Sequence, residues 1–218
     1  MVLERESYNL GIVLLGSFNP VIITPQWLFN KKIIRETESE TAKIELIHPE
    51  ITRFDLEWVS VQITTDRVEF RSKRESDIET LRDLVVSIFN VLKETPIDAF
   101  GINHNCHFSL RSTTEYINFG YWLSPVRQFD TVMQDPRLLK VEYVENIQND
   151  NSKGMFRLTI TPSDLILDHK SVVFSFNHHF QNTDKQTSSF INTLISNWSE
   201  SITKVNSICE SIWNQAKL

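Results

Sequence analysis

The sequence predicts an α+β fold: an antiparallel sheet built from two hairpin-then-helix halves, packed by a mid-chain helix and a long C-terminal helix. Three observations predict it. Apolar residues at Ile191, Ile195, Trp198, Ile202, Val205, Cys209 and Ile212 recur in alternating steps of four and three, which aligns them on one stripe of a long helix. Runs of alternating apolar and polar residues, separated by tight turns, occur in both halves. The helical patterns follow groups of strands rather than alternating with single ones, which is the order of α+β.

Leu10 to Gly16 reads as a buried strand flanked by glycine. Thr24 followed by Pro25 starts a short helix, with Thr24 as cap and Pro25 at the first helical position, carrying Trp27 and Leu28. Glu36 to Glu40 is polar and reads as a loop. Ala42 to Ile47 and Arg53 to Trp58 read as extended, with a turn at His48-Pro49. Val59 to Lys73 is the clearest hairpin: Val61 and Ile63 alternate with polar residues, Thr65-Asp66 turns, and Val68 and Phe70 resume the alternation. Ser76 with Glu79 three residues later reads as a capping box opening a helix, whose buried face is Ile78, Leu81, Leu84, Val85, Ile88, Phe89 and Leu92. Thr95-Pro96 stops it, and a strand follows with Phe100, Ile102, His104, Cys106, Phe108 and Leu110 on one side.

Thr114 to Gln134 is helical, broken at Ser124-Pro125. Strands are expected at Leu138–Val144, Met155–Thr161, Leu165–Leu167 and Val172–Asn177, with turns at Asn149–Gly154 and Thr161–Asp164, before the closing helix starts near Thr187. The chain, 1–218, is read as one domain with a duplication of pattern, about 8–112 and 136–218, linked by helices at 113–135.

The composition is that of an ordinary globular chain, 40% hydrophobic and 23% charged. The net charge of −6 counts against general attraction to nucleic acid or anionic membranes. Cys106 and Cys209, each in an apolar pattern, read as reduced core residues. The first nine residues are charged and contain no apolar run of signal-peptide length, so a cytoplasmic location is expected. The C-terminal helix is amphipathic but poor in cations, and membrane contact is not expected.

No motif names a reaction. With five glycines in the chain there is no phosphate-cradling loop, and His-Glu-x-x-His, Cys-x-x-Cys and nucleophile-elbow patterns are absent. Within Asn103-His104-Asn105-Cys106-His107, strand alternation puts His104 and Cys106 on one face and His107 on the other, so the three cannot converge. His104 between Ile102 and Cys106 reads as a buried, hydrogen-bonded histidine; a metal site would need recruits such as His178 or His179. His178-His179 reads as a polar strand end, and Asp168-His169 is a weaker signal still. Arg67, Arg71 and Lys73, with Arg74 beside them, form a basic ladder on the hairpin that could meet phosphates; a solvated face with cross-strand ion pairs explains it as well. No catalytic residue, metal ligand or cofactor is assigned.

Several short motifs do carry a resemblance: Gly16-Ser17-Phe18-Asn19-Pro20, Pro25-Gln26-Trp27-Leu28, His48-Pro49-Glu50-Ile51-Thr52, Thr95-Pro96-Ile97 with Gly101-Ile102-Asn103 and His107-Phe108, then Thr161-Pro162-Ser163 and Asn177-His178-His179-Phe180. In this order they resemble a sporadically distributed family of bacterial proteins of this length with no assigned activity. The resemblance spans about Leu10 to Trp198. Its patchy occurrence implies an accessory role, anti-phage defence included. If the motifs meet in space, Trp27, Asn103, His107, Asn177 and His178 would form a polar-aromatic binding surface.

The function expected is therefore a non-catalytic binding module, a protein-interaction sensor or adaptor whose partner is a second copy or an operon-encoded protein. Trp198, Ile202, Val205 and Trp213 would be its interface anchors if the last helix is exposed; otherwise that helix covers its own sheet. The alternatives are a nucleic-acid binder using the Arg67–Arg74 hairpin, and an unrecognised hydrolase or nuclease in which His104, His107, His178 or a carboxylate pair converge.

Overall fold

Alternation of apolar and polar residues builds nine strands in the computed structural model, which describes residues 4–149, 152–166 and 170–216. They are β1 (Ser7–Gly16), β2 (Lys43–Ile47), β3 (Ile51–Asp55), β4 (Val59–Thr64), β5 (Arg67–Ser72), β6 (Ile97–Ser109), β7 (Val141–Asn149), β8 (Ser152–Pro162) and β9 (Ser171–Gln181). The helices are α1 (Pro25–Asn30), α2 (Glu36–Glu40), α3 (Ile78–Val91), α4 (Thr113–Leu123) and α5 (Thr187–Ala216). All the strands join one antiparallel sheet in the order β2-β3-β4-β5-β1-β6-β9-β8-β7. The fold is α+β, with the mid-chain helix and the long last helix packed on that sheet.

Helices α1, α3, α4 and α5 share one face. Phe100, Ile102, His104, Cys106 and Phe108 of β6 point toward them, and α5 runs along this strand. Phe190 meets Phe100 edge-on, Ser201 bonds His104, and Trp213 lies against Phe108. Phe89 of α3 packs on Phe190, while Phe119 of α4 packs on Phe174 and Trp213. Leu28 of α1 belongs to the same core. Trp198, Val205 and Trp213 are buried in it and Ile202 is half-buried against it. These four are therefore not interface anchors: the wide apolar face of α5 covers its own sheet. Among the described residues no helix is long and apolar enough to cross a membrane.

Three local expectations need correction. Glu36–Glu40 is a short helix rather than a loop, held by the Glu38 carboxylate, which accepts from the Arg35 N–H at 2.9 Å and from Trp58 Nε1 at 2.8 Å. Ser76 does not cap α3, which begins at Ile78 after a single 3₁₀ turn. Glu79 accepts instead from Trp198 Nε1 at 2.8 Å and from Arg82, so a tertiary partner takes the carboxylate that a capping box would use. Leu165 and Ile166 form no strand; Leu167, like Asp168 and His169, lies outside the described residues. The Thr24 cap is as expected, its hydroxyl accepting from the Trp27 N–H.

The strand order also regroups the chain. Each half is a first strand, short helices, a meander and a closing helix: β1, α1–α2, β3–β4–β5 and α3, then β6, α4, β7–β8–β9 and α5. Outward from the centre, the orders β1-β5-β4-β3 and β6-β9-β8-β7 correspond. The two first strands pair antiparallel about Ile12↔Ile102, with Leu10 opposite His104 and Leu14 opposite Phe100. The segment 113–135 is thus internal to the second unit, in the place α1–α2 hold in the first, and β6 opens that unit instead of closing the first. Only one strand, β2, has no counterpart among the described residues.

Candidate binding face

The opposite face of the sheet is open. Three depressions on it, of about 380, 570 and 510 Å³, are lined by strand residues and, in the last, by the β8–β9 connection. One-faced burial is normal for antiparallel sheet; the informative feature here is what the open face carries.

Odd-numbered residues of β6 project onto it: Gly101, Asn103, Asn105 and His107. Across the sheet the register aligns one row: Ser60, Arg71, Gly11, Asn103, Asn177, Arg157 and Val144. Two guanidinium side chains thus flank a floor of one glycine and two amides. Asn177 Nδ2 donates to Asn103 Oδ1. Gly101 makes room for that pair, since a Cβ there would stand 3.0 Å from Asn177 Nδ2. In the adjacent row Asn105 donates to Asn9 Oδ1 at 3.1 Å and accepts from Ser175 Oγ at 2.8 Å.

The walls are ion-paired. Arg67 and Arg71 both reach Glu69, at 2.9 and 2.5 Å. Burial pushes the Glu69 carboxyl up, and its bonds to the two arginines override this and hold it below the usual glutamate value. On the far side Lys140 and Arg157 share Glu142, at 2.8 and 3.1 Å. The rest of the expected basic patch is neutralised away from this row: Lys73 pairs with Asp55 at 3.2 Å and donates to the Leu56 carbonyl, and Arg74 pairs with Glu57 at 2.6 Å.

The histidines divide by strand parity. His107 is on the open face, buried at the floor, with Nδ1 2.9 Å from Ser163 Oγ. That hydroxyl also accepts from the Ile166 N–H at 3.0 Å, so it is engaged in holding the turn. Burial holds His107 below its ordinary pKa despite the charge of Asp164. His179 is on the same face and is lowered by burial and by Arg157. His104 and His178 point the other way. His104 is bonded to Tyr8 Oη at 2.7 Å and Ser201 Oγ at 2.9 Å, and burial lowers it to about 3. His178 lies between Phe156 and Phe180, with no partner for Nδ1 among the described residues, and burial lowers it to about 4.

Of the five residues expected to meet, then, Asn103, His107 and Asn177 share the open face. His178 belongs to the core, because its register with Ile102 turns it through the sheet. Trp27, on α1, is half-buried against the core. His104, His107 and His178 do not converge, and among the described residues no three His, Cys, Asp or Glu side chains are placed to hold a metal ion. Cys106 and Cys209 are buried and unbridged. Sequence reasoning missed Gly11, Asn9, Asn105, Ser175, Arg157 and His179. Alternation within each strand places them on one face, but only the pairing brings the strands together. Comparison with protein-family models and with curated proteins finds no match, so the reading of this face rests on its geometry.

Proposed function

We propose that the protein is a non-catalytic binding module that recognises a protein partner through the open face of its sheet. One observation carries this reading: the centre of that face is a concave floor of half-buried amides whose hydrogen-bonding capacity is only partly used among the described residues. A face evolved only to meet water has no need of a recessed amide floor between charged walls. The basic hairpin supports nucleic acid less well, because no Phe, Tyr or Trp side chain projects from the strand positions of the central row or its neighbour to stack on bases. The wider setting belongs to the same proposal: a cytoplasmic sensor or adaptor of a bacterial accessory system, anti-phage defence included. It comes from the motif resemblance alone.

Site-specific photocrosslinking in the native host tests it. A photoreactive residue at Gln62 or Thr159, on the open face, is expected to capture a defined protein, seen as a discrete higher-mass band and as a stoichiometric complex by native mass spectrometry. The same residue at Ile195 or Glu200, on the outer side of α5, is expected to capture none. Capture from α5 alone would overturn the assignment of the face.

A further inference from the structure

We infer that the occupant of this face is an acidic segment of a partner protein, bound in extended conformation along the trough between Arg71 and Arg157. The inference rests on the binding-module reading and specifies its ligand.

The first argument is the amide floor. A single hydrogen bond between Asn103 and Asn177 uses one N–H and one oxygen. It leaves the amide group of one and the carbonyl of the other without a partner among the described residues. Exchanging the two amide orientations leaves the same pair. A donor beside an acceptor matches the N–H and C=O of one residue of an extended chain, which point to the same side. Asn9 likewise keeps its Nδ2 group unbonded after accepting from Asn105. The two amide rows are two residues apart on β6, about 6.6 Å, which is also the repeat of an extended peptide laid parallel to the strands. Such a chain presents the N–H and C=O of every second residue, one such residue to each row.

The second argument is width. Arg71 and Arg157 are separated by four inter-strand steps, about 19 Å between backbones at roughly 4.8 Å per step. Arg71 reaches along β5 to Glu69 and Arg157 reaches outward to Glu142 of β7, so the trough between them has the width of one extended chain with its side chains. Gly11, lacking a side chain beside Arg71, keeps that side of the floor low.

The third argument is charge. Each wall carries two cations on one carboxylate: Arg67 and Arg71 on Glu69, Lys140 and Arg157 on Glu142. Both walls therefore keep an excess positive charge in a chain whose net charge is −6. Arg71 and Arg157 are about half exposed, with donors remaining for a second carboxylate. Carboxylate side chains pointing sideways from the bound segment would meet both walls. The missing stacking platforms disfavour a nucleic-acid strand as the source of the negative charge.

The test is selection of phage-displayed random 12-residue peptides on the full-length protein, followed by fluorescence anisotropy with synthetic copies of the enriched peptides. A 15-nucleotide oligo(dT) serves as the comparison probe. The expected result is enrichment of Asp- and Glu-rich peptides that bind more weakly as salt is raised. Arg71→Glu and Arg157→Glu should each weaken them by about ten- to a hundredfold, the effect of losing a charge-assisted hydrogen bond. Both are surface changes, and thermal melting checks that the fold is kept. Gly101→Ala, which displaces the Asn177 amide, should weaken the acidic peptides and their Gln-substituted copies by the same factor, because it acts on main-chain recognition. Enriched peptides that are neutral or basic, or acidic ones indifferent to Arg71 and Arg157, would overturn the inference and leave the binding module standing. Binding of neither probe would overturn the inference and leave the binding module to the photocrosslinking result, whereas binding of oligo(dT) without peptide enrichment would overturn both.

Discussion

At the scale of residues, His104 and His178 show what burial does to a titratable group inside a sheet. Burial lowers them from 6.5 to about 3 and about 4. The sign follows from linkage. Below pH 6.5 the unfolded chain takes up protons that the folded chain refuses. The stability these two side chains permit is therefore complete above pH 6.5 and is lost as pH falls toward the folded values. Each contributes a slope approaching 1.4 kcal/mol per pH unit near pH 5, which for His178 falls to about half of that by pH 4. His178→Phe removes one of the two slopes. It also replaces an unpartnered Nδ1 among aromatic rings by a phenyl group, the side chain that Phe70 places at the corresponding position beside β1. Urea denaturation at pH 7.5, 5.5 and 4.5 should show the variant gaining on the wild type as pH falls; parallel curves would refute this account. The sequence made His104 legible, since Ile102 and Cys106 flank it on an apolar face. The same alternation places His178, since Phe174, Phe176 and Phe180 share its face, and reading it as a polar strand end passes over that pattern.

At the scale of elements, α5 was legible as a helix but its partner was not. A stripe of apolar residues states that something must cover it, without saying which surface does. Trp198 shows what the cover is: it is 1% exposed, its indole N–H bonds Glu79 of α3, and Arg82 lies over its ring. Trp198→Ala should cost about 3–5 kcal/mol through the cavity it leaves, and Trp198→Phe less, since most of the packing remains. Chemical denaturation measures both, and a loss below about 1 kcal/mol for Trp198→Ala would mean that α5 is not the lid of this core. The same contact explains the misread start of α3, where Ser76 and Glu79 have capping-box spacing but Glu79 is drawn to Trp198. Glu36–Glu40 escapes local pattern for a related reason, because the Trp58 bond that closes it comes from the β3–β4 turn, twenty residues away. Local pattern fails where a distant side chain competes for the same polar atom.

At the scale of the molecule, local periodicity makes most of the strands legible one by one but does not state their pairing partners, so it cannot say where one unit ends and the next begins. β6 follows α3 directly and looks like the end of the first half. It pairs with β1 and β9, and so opens the second. The joint between units is therefore the β1–β6 ladder at the centre of the sheet, together with α3 against α5. This has a consequence for a chain cut between α3 and β6, at Glu94. Each fragment, 1–94 or 95–218, would expose a long central strand whose core side is apolar, with Leu10, Ile12 and Leu14 on one and Phe100, Ile102 and Phe108 on the other. Such edges pair or aggregate. Separately expressed fragments should accordingly be unfolded or aggregated. When co-expressed they should associate one to one and recover the full-length circular-dichroism spectrum, melting in a single concentration-dependent transition. The uncut chain should melt once, without a stable half. The open face crosses the same joint, since Arg71 and Gly11 come from one unit and Asn103, Asn177 and Arg157 from the other. Peptide binding should thus return only with the reassembled pair. A fragment that folded alone as a monomer would show instead that each unit holds its own core, and that the central ladder is a contact between two independent domains.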